Sequence, residues 1–237
     1  MKFHRKFQKS VMREYIFRKK ISYSSPIDGF LKLSALKIKP LKLLVRSMNL
    51  LLFRVEEYVR STFAGTNVKI EVIQGQETFE KEYPCLAAVN RAASVIPRHD
   101  GRVIWLTYEP EGTVDRTLIM VGKGITYDTG GADIKAGGKI VVLNRHFRMQ
   151  SHVPFYPGIM AGMSRDKCGA ASVAGVLKSI SELKPKNVKV IGALAMVRNS
   201  VGENCYVADE IITSRAGVRI RVGNTDAEVG TRNKCHH

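Results

Sequence analysis

The sequence predicts an α/β domain whose mixed, largely parallel sheet is flanked by helices in three layers. Three observations predict it. Apolar runs of strand type recur at 67–74, 102–110, 116–124 and 187–199. Helical patterns fall between them, at 54–64 and after Asp166, and polar, glycine-rich segments gather where the strands end.

Taken in order, RVEEYVRSTFA at 54–64 places Val55, Tyr58, Val59 and Phe63 on one side of a helix that Gly65 closes. In NVKIEVIQ at 67–74, Val68, Ile70 and Val72 alternate with polar neighbours, the period of a half-buried strand. One or two short helices are expected around Pro84. RVIWLTYEP and RTLIMVGKG follow as strands joined by an acidic, glycine-containing turn. KCGAASVAGVLKSISEL then reads as a helix with small residues on one face, able to lie close to a sheet. NVKVIGALAMVRN at 187–199 is apolar almost throughout, as befits a strand covered on both faces. VRIRVGN at 218–224 supplies one more short strand. The stretch 31–53 is apolar and basic by turns, and neither a single helix nor a single span survives Pro40 and Arg46.

The net charge of +17 would suggest an acidic partner, so its distribution matters more than its total. Residues 1–50 hold thirteen Lys or Arg against Glu14 and Asp28, so most of the excess lies there. This segment is expected to be a basic, poorly ordered extension. A mitochondrial transit peptide and an arm for RNA or anionic lipid, through Lys2, Arg5, Lys6, Arg18, Lys19 and Lys20, are the alternatives. No aromatic stacking pattern accompanies the charge, which argues against nucleic acid. No continuous apolar stretch suggests a membrane span. Cys85, Cys168, Cys205 and Cys235 sit far apart with no C-x-x-C pair, which argues against a disulfide framework and a cysteine zinc knuckle and fits a reducing compartment.

The segment VGKGITYDTGGADIK at 121–135 concentrates two lysines, two acids and four glycines in what reads as a strand-exit loop. Such charges are costly there unless partnered, and the glycines permit tight backbone approach. NTDAE at 224–228 is expected to leave another strand with Asp226 and Glu228 on one face of an extended segment, able to reach a common metal cluster. Taken alone, that second segment reads as a solvated loop.

Together these residues resemble the leucine aminopeptidase family, whose signatures are V-G-K-G-[IL]-T-[FY]-D-[ST]-G-G and N-T-D-A-E-G-R; the likeness runs through roughly 55–138 and 159–228. The resemblance implies a zinc-exopeptidase-like fold and a two-metal aminopeptidase acting on peptides with a free N-terminus in the cytoplasm. It implies that Lys123, Asp128, Asp166, Asp226 and Glu228 ligate two divalent ions. An amine ligand must be deprotonated, and four carboxylates suit zinc or manganese. Lys135, seven residues after Asp128, resembles the family's catalytic lysine, a cation that stabilises the developing oxyanion.

Three departures stand out. Residues 139–158 form an insert whose removal restores the family spacing; its His146 and His152 are not expected to bind metal. After Glu228 the chain continues as VGTRNKCHH, with Gly230 where the family has arginine and Arg232 out of register. Residues 229–237 are therefore read as a non-family tail, and 51–228 as a partial catalytic domain. The usual N-terminal domain is expected to be absent or replaced by residues 1–50. The family's homo-hexamer is doubtful on this reading, and a silent paralogue retaining the fold as a binding or assembly protein is the alternative to an active peptidase. A basic nucleic-acid-associated protein is the third reading.

Overall fold

The computed structural model describes residues 51–135 and 160–228. The expectations for residues 1–50, for His146 and His152 in the insert, and for the tail after Glu228 lie outside them. The described chain runs α1 (Leu52–Phe63), β1 (Val68–Gln74), α2 (Gln76–Glu82), α3 (Pro84–Ser94), β2 (Arg102–Tyr108), β3 (Arg116–Asp128), α4 (Cys168–Leu183), β4 (Val188–Asn199), β5 (Ile211–Thr213) and β6 (Arg219–Arg221). Short 3-10 turns at Pro97–His99 and Met163–Arg165 precede β2 and α4.

The first four strands form one sheet in the order β1-β2-β4-β3. It is mixed, as the sequence predicts, but among the described residues only β3 and β4 run parallel; β1–β2 and β2–β4 are antiparallel. The crossover from β3 to β4 carries the sixteen-residue helix α4 and returns the chain to the same end of the sheet, whereas β1 and β2, joined through α2 and α3, run in opposite directions. Although β2 and β3 are consecutive, β4 lies between them. β5 and β6 form a separate antiparallel hairpin, in which β6 is shorter than the 218–224 run suggests.

Successive residues of the central strands face opposite layers, and both faces are largely buried. Val103, Ala193, Ala195, Val197 and Ile125 join Leu86, Ala87 and Val89 of α3 in one cluster that also takes in Tyr206, Ile212 and Val222. On the other face, Gly192 of β4 opens a space into which Val173 and Leu177 of α4 project. A parallel-type strand buried on both faces is what the unbroken apolar run of β4 requires. α1 begins at Leu52, two residues earlier than its pattern indicated, and buries Leu52, Val55, Val59 and Phe63. Its Glu56 pairs with the nearly buried Arg102 of β2 at 2.6 Å, tying the helix to the sheet.

The approach of α4 to β3 fixes the later geometry. A Cβ on Gly122 would lie 2.6 Å from the Ala170 Cα, and one on Gly169 would lie 2.6 Å from the Lys123 backbone nitrogen. Strand and helix therefore touch main chain to main chain, and any side chain at either glycine would force them apart.

Candidate metal centre

β3 does not end where the glycine-rich composition of 121–135 suggests. Its parallel ladder with β4 continues to Asp128 opposite Asn199, so Lys123 sits within a strand and the exit loop starts only at Thr129. Cross-strand hydrogen bonding outweighs the low strand propensity of Gly122 and Gly124. The register slips between Ile125 and Asp128, where two residues of β3 oppose one of β4. In a regular strand the odd step of five from Lys123 to Asp128 would send their side chains to opposite faces. The bulge restores them to the same side.

The loop after β3 folds back at once. Lys135 N donates to Thr129 O at 2.8 Å, and Gly130 N donates to Asp128 Oδ1 at 2.9 Å. Gly131, at φ 69°, is held where an added Cβ would lie 3.0 Å from both Asn199 Oδ1 and Thr225 Oγ1, so this turn needs glycine on conformational and spatial grounds alike. The 224–226 segment docks against the loop. Asp133 N donates to Thr225 Oγ1 at 2.8 Å, Thr225 N donates to Asp133 Oδ2 at 2.7 Å, and Thr225 Oγ1 donates to Gly130 O at 2.6 Å.

Asp226 and Glu228 do not lie on an extended segment. β6 stops at Arg221, and a turn at Thr225–Asp226 is closed by Asp226 N donating to Asn224 Oδ1 at 2.6 Å. Asparagine's side chain replaces strand pairing with its own local bond, which is why the strand expectation fails here. The two carboxylates consequently engage different lysines rather than one shared face.

All six residues singled out in the sequence nevertheless converge. Lys123 Nζ lies 2.6 Å from Asp166 Oδ2 and forms a tight ion pair with Glu228 Oε1. Lys135 Nζ lies 3.2 Å from Asp128 Oδ2 and pairs closely with Asp226 Oδ1. Asp128, Asp166 and Glu228 each offer an oxygen, and these atoms lie within 4.8 Å of one another. Asp166 reaches the group from the residue after the 3-10 turn, where its carbonyl accepts a 2.9 Å bond from Ile125 N. The next residue, Lys167, is fully buried, with Nζ donating to Ser164 O at 2.7 Å, and burial lowers its pKa.

Burial is the largest single influence on Lys123, Lys135 and Glu228, but it decides the net direction only for Glu228. Burial alone would pull the Lys123 amine down, but hydrogen bonds and charge from Asp166 and Glu228 outweigh it, and the net shift is upward. Lys135 is likewise drawn down by burial and raised overall by Asp226 and Asp128. For Glu228, wholly excluded from solvent, burial raises the pKa and Lys123 offsets it only in part. Four carboxylates against two ammonium groups leave an excess of negative charge in a confined space, and that donor set fits divalent cations. Lys123 would enter such a set only by giving up the proton its acidic neighbours now hold.

Asn199, Thr225 and Asn224 were not singled out in the sequence, and Asp133 was noted only as a charge. The available signal was a polar residue ending the apolar run of β4, opposite the aspartate that ends β3; without the register it carries nothing.

Comparison with known proteins places these residues in context. The family model for the catalytic domain of the cytosol aminopeptidase family matches residues 50–146 and 157–230. The unmatched residues 147–156 fall inside the stretch read as an insert. A Caenorhabditis elegans protein named as an aminopeptidase is 46% identical over 175 residues, covering 74% of this chain and 30% of the relative. A Helicobacter hepaticus protein named as a cytosol aminopeptidase is 32% identical over 162 residues, 68% of this chain and 29% of the relative. The solved leucyl aminopeptidase of Trypanosoma brucei in complex with bestatin superposes with a TM-score of 0.65 at 25% identity, covering 83% of this chain and 34% of that one. The chain thus spans about 30% of the length of these curated relatives. Among the described residues no helix is long and apolar enough to cross a membrane.

Proposed function

The chain belongs to the cytosol aminopeptidase family, and from that premise we propose that it is a metal-dependent aminopeptidase removing N-terminal residues from peptides in the cytoplasm. Lys123, Asp128, Asp166, Asp226 and Glu228 would hold two divalent ions, zinc or manganese. The observation that carries the reading is that these five groups and Lys135, drawn from three separated stretches of chain, meet in one cluster of ion pairs.

Bound divalent ions would supply Lewis acidity and a water activated at neutral pH. The remaining work falls to side chains of the chain itself. Lys123 must release a proton to act as a ligand, so the raised pKa of its amine makes loading a proton-releasing step. Glu228, excluded from water, would supply an oxygen whose negative charge burial disfavours and Lys123 offsets only in part. Lys135 pairs with Asp128 and Asp226. With those carboxylates engaged by divalent ions, its ammonium would be free to face the developing oxyanion of the peptide carbonyl.

Hydrolysis of a leucyl chromogenic amide in the presence of added manganese or zinc tests the reading, and Lys135→Ala tests the lysine's role. Turnover without added or bound metal, or turnover unaffected by Lys135→Ala, would refute the assignment. A second reading, a metal-binding paralogue without turnover that serves in binding or assembly, is favoured by the unmatched residues 147–156 between Lys135 and Asp166. It predicts metal uptake with no hydrolysis. A family-type hexamer belongs to the first reading, and sedimentation with and without metal measures it. For the basic first fifty residues, salt-sensitive retention on heparin that disappears on their deletion would favour a nucleic-acid role.

A further inference from the structure

The geometry points to Asn199 as a positioning residue of the proposed centre: its carboxamide holds the Asp128 carboxylate from behind and straps it to the turn that carries Asp226. The inference rests on reading this cluster as a metal centre.

Asn199 ends β4 directly opposite Asp128 and is fully buried. Its Nδ2 donates to Asp128 Oδ1 at 2.9 Å and to Thr225 O at 3.1 Å. Both partners are acceptors, so the amide orientation is fixed by the network and the oxygen cannot take the nitrogen's place. The Thr225 carbonyl is further gripped by the buried Tyr206 hydroxyl at 2.5 Å, and the Asn199 carbonyl receives Thr129 N at 3.0 Å and Thr129 Oγ1 at 2.9 Å. One side chain thereby joins the end of β3, the end of β4 and the 224–226 turn.

The effect on Asp128 is directional. Its Oδ1 receives two N–H donors, from Gly130 and Asn199, while Oδ2 is the oxygen turned to Lys135. Those donors commit Oδ1 and leave Oδ2 as the oxygen presented to a cation, with its orientation already settled before anything binds. The arrangement is also costly. Among the described residues Asn199 Oδ1 meets no donor and faces Gly131, whose missing Cβ leaves it room. A residue serving packing alone would be better apolar at this position.

The test uses the full chain, stripped of metal and titrated with Co²⁺ against a competing chelator, with the visible spectrum of bound Co²⁺ and the metal-free Tm recorded in parallel. Asn199→Leu removes both donors, and Asn199→Asp keeps the shape but sets an acceptor against Asp128 Oδ1. The control is Thr126→Val, which removes a buried hydroxyl that bonds Val197 O at 3.4 Å near the end of the same strand. Both Asn199 variants are expected to bind Co²⁺ about 10- to 100-fold more weakly, with an altered spectrum. Thr126→Val keeps wild-type affinity and spectrum even where its Tm falls. Should Asn199→Leu fail to fold, Asn199→Ser carries the same comparison. Asn199 variants that bind within twofold of wild type with an unchanged spectrum overturn the inference alone. Failure of the wild-type chain to take up Co²⁺ overturns the metal-centre reading and the inference with it.

Discussion

The two lysines of the cluster hold comparable pairs of carboxylates, yet their surroundings differ. Lys123 projects from a strand locked into the sheet and grips Glu228, which no solvent reaches; Lys135 ends a folded-back loop and grips Asp226, whose side chain is 32% exposed. Each lysine also holds a second carboxylate of the opposite exposure, Asp166 at 28% beside Lys123 and Asp128 at 4% beside Lys135. On the proposed function the strand-borne amine would hold metal and the loop-borne one would react.

Substitutions sharpen that contrast. Lys123→Met leaves Glu228 without its cation, and loss of one partner of a buried pair costs about 3–5 kcal/mol, less whatever Glu228 recovers by taking up a proton. The metal-free variant should therefore unfold at markedly lower temperature at neutral pH than at pH 4, and calorimetry at both values checks it. Lys135→Ala breaks the comparison in the other sense. Activity should drop by about 10²–10³-fold with metal affinity nearly unchanged, while the metal-free Tm falls because the nearly buried Asp128 loses its cation. Activity that survives the substitution would remove the lysine's proposed role.

Smaller effects test what supports each half. Thr225→Val removes the hydroxyl that bridges Gly130 O and Asp133 N. Leaving those buried groups unpaired should cost about 1–3 kcal/mol in a urea titration, with the 129–135 loop loosened and the Lys123 half untouched. The least change is expected for Glu228→Gln in the metal-free state. The folded pKa of Glu228 lies above its ordinary value of 4.5 because of burial, so its contribution to stability is complete below that value and is lost as pH rises through the folded pKa. A glutamine side chain in its place cannot ionise, so the stability curve should flatten above pH 4.5 while metal affinity falls. A wild-type curve that climbs over that range would contradict the proton accounting.

The sequence carried the elements that depend on local pattern. The amphipathic stripe of α1, the alternation of β1, the small-residue face of α4 and the apolar run of β4 were all legible, since each is repeated along a few turns or residues. The six residues of the cluster were found by resemblance, not by pattern. The β5–β6 hairpin was missed in its first strand, because three residues give no periodicity. Alternation alone would have set Lys123 and Asp128 on opposite faces, and only the bulge, invisible without β4 beside it, returns them to one. The bond from Asn199 to Asp128 spans 71 residues and the Asp133–Thr225 lock spans 92. Contacts of that separation arise only in the assembled fold, the first through the register of β3 on β4 and the second between two loops, and no local reading has access to either.

The glycine contact between β3 and α4 has a thermal corollary. Where peptide planes meet directly at Gly122 and Gly169, there are no rotamers to repopulate on warming, so the gap from the Lys123 backbone to the start of the helix behind Asp166 cannot widen by degrees. The two backbones should keep their spacing at every temperature the domain survives, and part company only in the cooperative step that detaches the helix.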